Sequence, residues 1–436
     1  MRVVLLSTYD LGRQPFGLAS PAAWLREAGC DVRMNDLAVE PLDEAAVRTA
    51  GMVAIHLPMH TATRLASRVI PRVRALNPRA LLVCYGLYAQ PNEAYLRSLG
   101  ADHALGGEYE EDLARLALGE RPAPAAGLPR LAYRVPDRRG LPSLDRYARL
   151  VDTAGRERPV AYTETTRGCK HVCRHCPVVP VYEGRFRAVP REVVLADIRQ
   201  QVADGASHVT FGDPDFWNGP THALAIVRAL NAEHPGVTYD ATIKIEHLLR
   251  HAGHLPELAR TGCLFVTSAA ESLDDAVLAR LDKGHTRAGF ERAIDLCREA
   301  GLVMQPTFIA FHPWMTRARY LEFLEFLEQH DLVDALPPIQ LALRLLVPAG
   351  SKLLGHMEVA AFDPERLVHP WRHADPEVDE LHETVQGLVQ ERSAAGATRR
   401  EIFDAVWEAA SGGSRLPGAQ WTERAPVPYL TEPWYC

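Results

Sequence analysis

The run Cys169-Lys170-His171-Val172-Cys173-Arg174-His175-Cys176 places three cysteines within eight residues, in the spacing C-x3-C-x2-C. It follows an extended, Thr-rich segment at 161–166 and the pair Arg167-Gly168. Three thiolates can hold three corners of a cubane iron–sulfur cluster. Because a fourth cysteine is missing nearby, one iron would stay open for a substrate or a cofactor. The stretch therefore predicts a metal centre with an open position.

Two other interpretations of the triplet were weighed. A structural zinc site takes four ligands, and His171 or His175 would supply the fourth. A disulfide framework is disfavoured because the chain is long and carries no secretory signature. The residues thus favour an iron–sulfur cluster, with zinc as the alternative.

Length and composition limit the class of protein. The 436 residues suffice for two or three domains, and 47% hydrophobic with 24% charged residues is typical of a globular chain. The net charge of −7, without a basic block, argues against a nucleic-acid partner. No apolar run is long enough to span a bilayer, so a membrane is not expected as a partner. The other cysteines are scattered in apolar contexts, which predicts a cytoplasmic protein.

Residues 1–120 alternate apolar strands and helices. The strands are predicted at 3–7, 31–34, 52–57, 80–85 and 104–105, which indicates a doubly wound parallel sheet. Ligands of such sheets bind outside the carboxyl ends of the strands. His60 and Arg64, after the third strand, are the residues predicted to face a ligand there. The alternative is that both are surface or capping residues.

Three further segments complete the predicted architecture. Residues 121–158 are rich in proline and read as a linker. Residues 159–355 contain six strand-like runs, at 161–166, 208–212, 237–244, 264–268, 303–309 and 339–346, which predict a partial (β/α)6 TIM-type barrel. Residues 356–436 are predicted as a helical extension, with helices at 376–392 and 397–410 covering the open barrel side. The whole chain is therefore predicted to be α/β.

The cysteine triplet after a strand resembles the cluster motif of the radical S-adenosylmethionine (SAM) superfamily. That family usually has an aromatic ring before the third cysteine, where this chain has His175. The resemblance implies a [4Fe-4S] cluster on Cys169, Cys173 and Cys176. It also implies SAM on the open iron, a small-molecule substrate, and an electron donor such as flavodoxin or ferredoxin.

The resemblance extends to later strand ends. Asp213 and Asp215 follow the second barrel strand, where the family contacts the SAM amino group; their alternative role is to cap a helix or an Asx-turn. Glu271 and Ser272 resemble the family's E-S segment, whose acid contacts SAM; the alternative for Glu271 is to cap a helix dipole. The run Lys283-Gly284-His285-Thr286 echoes the family's K-G-x-T.

Three more side chains stand at predicted strand ends. Lys244 ends the third strand and is predicted to contact the cofactor. Arg344 in the sixth is predicted to pair with a substrate or SAM carboxylate, with a barrel salt bridge as the alternative. His312, after the fifth, is a polar contact for adenine or substrate, or else structural.

The N-terminal region resembles the cobalamin-binding domain that precedes the barrel in many radical SAM enzymes. The usual D-x-H-x-x-G motif is replaced by Asp10-Leu11-Gly12-Arg13. Many members lack that motif, so the resemblance allows cobalamin but names no cobalt ligand.

The tail at 426–436 is aromatic, proline-rich and stops on Cys436. It resembles a radical SAM group ending in Cys-Cys or Cys-selenocysteine followed by Ala-Glu-Pro, which is similar to the radical SAM enzyme of arsinothricin biosynthesis. This implies a catalytic Cys436, a selenocysteine codon read as a stop, and transfer of a SAM-derived carbon group to a thiophilic, arsenic-type substrate. The alternatives are cobalamin-dependent radical methylation and a non-catalytic metal-binding protein.

Overall fold

The N-terminal part is a five-stranded sheet. The computed structural model describes residues 1–122, 128–413 and 427–431. The strands are β1 (Arg2–Ser7), β2 (Asp31–Asp36), β3 (Met52–His56), β4 (Leu81–Tyr85) and β5 (His103–Leu105). They are all parallel, in the order β2-β1-β3-β4-β5. The strand order therefore runs outward in opposite directions from the boundary between β1 and β3.

Helices cover both faces of this sheet. They are α1 (Phe16–Glu27), α2 (Glu44–Thr49), α3 (His60–Leu76), α4 (Glu93–Ser98) and α5 (Glu110–Ala117). Val4 and Leu6 of β1 point into the core under α2, α3 and α4, whereas Val3 and Leu5 point into the core under α1 and α5. Alternate side chains of one buried strand thus enter two cores, and the predicted doubly wound sheet is confirmed.

The central part is a curled half-barrel. Its strands and the hairpin beside it are β6 (Arg149–Val151), β7 (Glu157–Thr163), β8 (Thr166–Gly168), β9 (Phe186–Ala188), β10 (His208–Phe211), β11 (Thr238–Thr242), β12 (Cys263–Glu271) and β13 (Val303–Phe308). The strands β7, β10, β11, β12 and β13 are parallel neighbours in that order. The antiparallel pair β8–β9 stands apart from this sheet.

Helices lie between the barrel strands. They are α6 (Val179–Tyr182), α7 (Arg191–Ala203), α8 (Pro220–Glu233), α9 (Ile245–Arg250), α10 (Leu255–Arg260), α11 (Asp275–Leu281), α12 (Arg287–Glu299) and α13 (Arg317–Gln329). One large apolar core joins the outward side chains of the strands to these helices, with Phe211, Phe290 and Phe308 among its fully buried rings. The barrel class predicted from the sequence is confirmed.

The predicted sixth strand at 339–346 is wrong. Pro338–Leu341 form a 3-10 turn, and the only strand-like contact described there is an isolated bridge between Phe311 and Arg344. Proline cannot donate to a ladder, so Pro337 and Pro338 prevent pairing at the start of the run. The Gln340 side chain instead accepts a hydrogen bond from the Phe308 backbone N–H at 2.8 Å. The parallel half-barrel therefore ends with one bridge beyond β13.

The C-terminal extension contains the two predicted helices, α14 (Pro376–Ala394) and α15 (Arg399–Ser411), and both are confirmed. They pack on the side of the missing sixth strand, where Val385 and Phe403 join the barrel core. A last short strand, β14 (Tyr429–Leu430), pairs antiparallel with β6. The Gln305 side chain of β13 donates to the carbonyl of Pro428 at 2.8 Å. The segment 427–431 thus contacts strands from both sides of the half-barrel sheet.

Among the described residues, no helix combines the length and the apolar character that a membrane span requires.

Candidate functional site

The cysteine loop leaves the barrel at the carboxyl end of β7, after β8. Gly168 has φ +75°, and a Cβ there would lie 2.2 Å from Cδ1 of Tyr182, so only glycine fits. Cys173 is buried, Cys169 and Cys176 are partly buried, and all three are free thiols. The backbone N–H of His171 points at the sulfur of Cys169, at 3.5 Å. The loop thus offers three sulfur donors from one turn of chain.

Burial makes these thiols poor nucleophiles on their own. It raises the pKa of Cys169 to about 12 and the pKa of Cys176 to about 11. A coordinating thiol, in contrast, is deprotonated outright by its metal. Three soft sulfur donors without a disulfide, two of them with a raised pKa, therefore fit an iron–sulfur cluster better than a reactive cysteine pair.

Asp213 anchors the segment that precedes the loop. Its carboxylate accepts from the backbone N–H and hydroxyl of Thr165, at 3.0 and 2.7 Å, and from the backbone N–H and hydroxyl of Thr166, the latter at 2.6 Å. Burial raises the pKa of Asp213 to about 6 in spite of these bonds. Asn218 adds a second tie, because its amide donates to the Gly168 carbonyl at 3.0 Å.

Asp215 faces the other way, toward a group of histidines. Its Oδ1 caps the turn after β10 by accepting from the Trp217 N–H at 3.2 Å. Its Oδ2 lies 2.6 Å from Nδ1 of His247 and 3.7 Å from Nε2 of His171. Neither Asp215 Oδ2 nor His247 Nδ1 has a partner with hydrogen-bond geometry, although both side chains are buried. Buried polar atoms of this kind call for a ligand, a water or an ion.

Lys244 closes this group. Its Nζ lies 3.0 Å from Nδ1 of His171 and 3.4 Å from Oε2 of Glu246. Burial and the Lys244 charge lower the pKa of His171 to about 4, so the ring is neutral at pH 7. The ligand atoms of His171, Asp215 and His247 all lie within 4.8 Å of one another. The ends of β10 and β11 thus meet the cysteine loop in one polar cluster.

A second polar cluster meets the loop from β12. Oε1 of Glu271 lies 3.0 Å from Nε2 of His175 and 3.2 Å from Nζ of Lys283. Burial raises the pKa of Glu271, but the charges of Lys283 and His175 outweigh it and lower the pKa to about 2. Glu271 has φ +65° and follows a register shift between β12 and β13. The histidine that departs from the family pattern is therefore the ion-pair partner of Glu271.

A cleft of about 280 Å³ opens beside Glu271 and Ser272. Its walls include Asp274, Arg319 and His312. His312 is buried, and neither ring nitrogen has a hydrogen-bond partner. Burial lowers the pKa of His312 to about 4, so its neutral ring can donate and accept.

Other predicted site residues lie away from this mouth. The Arg344 guanidinium donates to Asp379 at 2.7 Å and stacks 3.8 Å over the Trp371 ring, so it joins the barrel to the C-terminal extension. His60 starts α3 in the N-terminal part, where its Nε2 lies 2.7 Å from the Arg366 carbonyl, and Arg64 is exposed one turn later. Cys436 lies outside the described residues.

Sequence reasoning missed two features of the mouth. His247 was not singled out, although it lies in the first turn of α9, three residues after Lys244. The pairing of His175 with Glu271 was also missed, because those residues are 96 positions apart. A histidine three residues after a strand-end lysine was the one available signal.

Comparisons with known proteins identify the central domain. Residues 163–327, which include the cysteine loop, match the radical SAM superfamily. A tRNA-2-methylthio-N(6)-dimethylallyladenosine synthase from Desulfosudis oleivorans is 28% identical over 180 residues, which are 37% of this chain and 36% of that protein. The ribosomal protein uS12 methylthiotransferase RimO from Opitutus terrae is 26% identical over 200 residues, which are 39% of this chain and 40% of that protein. The chain therefore spans well under half the length of these relatives.

Solved structures extend the likeness to the N-terminal part. The cobalamin-dependent SAM radical enzyme OxsB, with aqua-cobalamin and SAM bound, has a TM-score of 0.66 at 12% identity, over 90% of this chain and 67% of that one. The radical SAM methyltransferase TsrM from Kitasatospora setae has a TM-score of 0.60 at 18% identity, over 76% and 71%. At these identities the likeness concerns the fold.

The chain therefore carries a radical SAM domain, which is the domain of a class of enzymes. Its N-terminal and central parts together have the fold of cobalamin-dependent radical SAM enzymes. The domain implies a [4Fe-4S] cluster and SAM, and the three thiols of the loop suit that cluster. This assignment removes the reason for the zinc alternative.

Proposed function

We propose that this chain is a radical SAM enzyme that cleaves SAM reductively and transfers a SAM-derived carbon group to a small molecule. The observation that carries the proposal is the three-thiol loop at the carboxyl ends of the barrel strands. That end of a TIM-type barrel is where such folds do chemistry. When bound, the cluster supplies the electron that cleaves a carbon–sulfur bond of SAM.

The residues of the chain bind and orient. Cys169, Cys173 and Cys176 hold the cluster. We assign Asp215, whose Oδ2 lies 2.6 Å from Nδ1 of His247, to the SAM amino group, since an ammonium is a natural partner of a buried carboxylate. Lys244, 9% exposed and beside His171, is the cation available for a carboxylate. Asp213 has a structural role, because its oxygens accept hydrogen bonds from Thr165 and Thr166.

Glu271 and Ser272 stand on the opposite side of the loop. Glu271 fixes His175 and Lys283 around Cys173 and Cys176, and Ser272 accepts from the Asp274 N–H at 3.1 Å. The cleft beside them, with the unpartnered ring of His312, is the space we assign to adenine or substrate.

We propose a thiophilic, arsenic-type substrate, with Cys436 on the substrate side of the open iron. Soft thiol or selenol donors suit such atoms. The support is the resemblance of the tail alone, which is an analogy. A flavodoxin- or ferredoxin-type protein would deliver the electron, and neither nucleic acid nor membrane is a proposed partner.

A second candidate is cobalamin-dependent radical methylation. The fold shared with OxsB and TsrM favours it. This reaction requires a corrinoid at the N-terminal sheet. Because that sheet is a different part of the molecule from the cysteine loop, corrinoid binding can be tested separately.

Anaerobic reconstitution tests the proposed function. We expect about four iron per chain, an EPR signal of the reduced cluster that SAM perturbs, and SAM cleavage with dithionite. Methylthioadenosine as the product would indicate transfer of the 3-amino-3-carboxypropyl group, whereas 5′-deoxyadenosine would favour other radical chemistry. Bound zinc without iron, and no SAM cleavage, would contradict the proposal.

A further inference from the structure

The carboxyl edge of the N-terminal sheet is the place where a corrinoid would have to lie. Ligands of doubly wound sheets bind outside these strand ends. A corrin ring is broad and rigid, so it needs an open face there. The side chains at the ends of β1, β3, β4 and β5 show whether this chain has one.

The ends of β3 and β4 are filled by aromatic rings. The His56 ring lies against Gly17 so closely that a Cβ at Gly17 would be 2.0 Å from its Cε1 atom. The Tyr85 hydroxyl donates to the Gly17 carbonyl at 2.8 Å. The Tyr85 and Tyr109 rings are 4.8 Å apart. Nδ1 of His56 has no hydrogen-bond partner, yet its ring is 6% exposed and leaves no room for a ligand.

The end of β5 is filled from the barrel. Arg167, two residues before the first cluster cysteine, inserts its guanidinium between three carboxylates. It lies 3.3 Å from Glu108, 2.6 Å from Glu110 and 2.9 Å from Glu164. Two of these acids belong to the N-terminal part, and both are buried. A barrel residue thus occupies the edge that a cofactor would need.

The loop after β1 is fastened as well. The Gln14 amide donates to the Pro142 carbonyl at 2.8 Å, and its oxygen accepts from Arg138 at 2.8 Å. The Gly12 carbonyl accepts from the Ala148 N–H at 2.8 Å. At the other side, His60 contacts the Arg366 carbonyl of the C-terminal extension. The ends of β1, β3, β4 and β5 are thus each packed against other segments of the same chain.

We infer that the N-terminal domain takes no corrinoid, and that its strand-end edge instead serves as a socket for Arg167, which positions the cysteine loop. The fold of a cobalamin-dependent enzyme is retained while the cofactor position is filled by side chains, so this inference opposes the second candidate function, cobalamin-dependent methylation. The positioning role rests on the proposed function, whereas the exclusion of corrinoid does not.

A binding experiment tests the exclusion. The full-length chain, produced in cells that import cobalamin and then incubated anaerobically with hydroxocobalamin, should retain far less than one cobalt per chain after gel filtration. Its absorption spectrum should show the iron–sulfur chromophore without corrin bands. One cobalt per chain, stable to gel filtration, would overturn the inference. A sample that binds no cobalt and also cleaves no SAM would refute the proposed function and leave this inference standing.

Two matched variants test the socket. In Arg167→Met, we expect the EPR line shape of the reduced cluster to change and SAM to perturb that signal no longer. In Arg167→Lys, we expect part of the original line shape and part of the SAM perturbation to be retained. A purely structural arginine would alter stability without altering that spectrum. If Arg167→Met fails to fold, Glu110→Gln replaces it, because it removes one carboxylate from the socket and should shift the same spectrum. An unchanged spectrum in the folded variant would overturn the positioning role.

Discussion

The two strand-end edges of this molecule have the same place in a parallel α/β fold but differ in how they are filled. At the barrel mouth, Cys169 and Cys176 are partly exposed, a cleft of about 280 Å³ lies nearby, and neither ring nitrogen of His312 in that cleft has a hydrogen-bond partner. At the N-terminal edge, aromatic rings and buried ion pairs from the sheet and the barrel pack against one another. The fold determines where a ligand can bind, and the side chains determine whether one does.

The test with the largest expected effect removes a metal ligand at the barrel mouth. Cys173→Ala should abolish cluster assembly and all SAM cleavage, because two cysteines cannot hold the cubane. Iron content and the visible absorption of the iron–sulfur cluster report it directly. Cys30→Ala, a buried cysteine of the N-terminal sheet, is the control and should keep its iron. Equal iron in both variants would contradict the assignment of the loop.

The next test separates the two acids after β10. Asp215→Asn should weaken SAM binding by about 10- to 100-fold, since hydrogen bonds to charged groups contribute roughly 1.5–3 kcal/mol. Asp213→Asn should instead lower the melting temperature, because it disturbs the bonds to Thr165 and Thr166. SAM titration and thermal unfolding are measured on both. The assignment fails if Asp213→Asn has the larger effect on SAM affinity at full iron content.

A third test opens the closed edge. Arg138 and Asp197 form a buried ion pair at 2.8 Å, with side chains 4% and 1% exposed. Arg138→Met leaves the Asp197 carboxylate buried without its cation, with only the Gln200 and Gln201 amides donating to it, which should lower the free energy of unfolding by about 3–5 kcal/mol. Urea unfolding measures this change. As a control, Arg97→Ala breaks an exposed ion pair with Glu93 and should lower the free energy of unfolding by less than about 1 kcal/mol. Similar losses in the two variants would show that the buried pair of Arg138 and Asp197 contributes little to stability.

A fourth test uses the pH dependence of stability. Burial raises the pKa of Asp10 to about 7, so the folded chain holds a proton there that the unfolded chain releases above its ordinary pKa of 3.8. Stability should therefore fall as pH rises from about 4 to about 7. Asp10→Asn carries no such proton and should flatten this part of the curve. Denaturant midpoints across that pH range measure it, and parallel curves for both proteins would contradict the raised pKa.

Much of the architecture could be predicted because it follows from local patterns. Buried parallel strands are continuous apolar runs, and the five N-terminal strands and five of the barrel strands were found on that basis. The run at 339–346 is equally apolar, but Pro337 and Pro338 precede it and the prediction ignored them. The order of the strand ends also placed the cysteines, Asp213, Asp215 and Glu271 at one end of the barrel.

The orientation of side chains at the mouth could not be predicted in the same way. Asp213 and Asp215 follow the same strand. Only the position of the Thr165–Thr166 backbone decides which of the two carboxylates accepts its hydrogen bonds. The left-handed Glu271 depends on a register shift between β12 and β13, which no short pattern reveals. The closure of the N-terminal edge depends on pairs such as Arg167 and Glu108, 59 residues apart.

The contact of the segment 427–431 with β6 has a consequence for the order of folding. The Thr431 hydroxyl accepts from the Arg149 N–H at 2.9 Å, across 282 positions of chain. Contacts of such long sequence separation form slowly, because a large loop must close before they add stability. During synthesis, the cysteine loop leaves the ribosome long before the strand that completes the sheet. The metal-binding loop of the nascent chain must therefore persist beside an unfinished barrel.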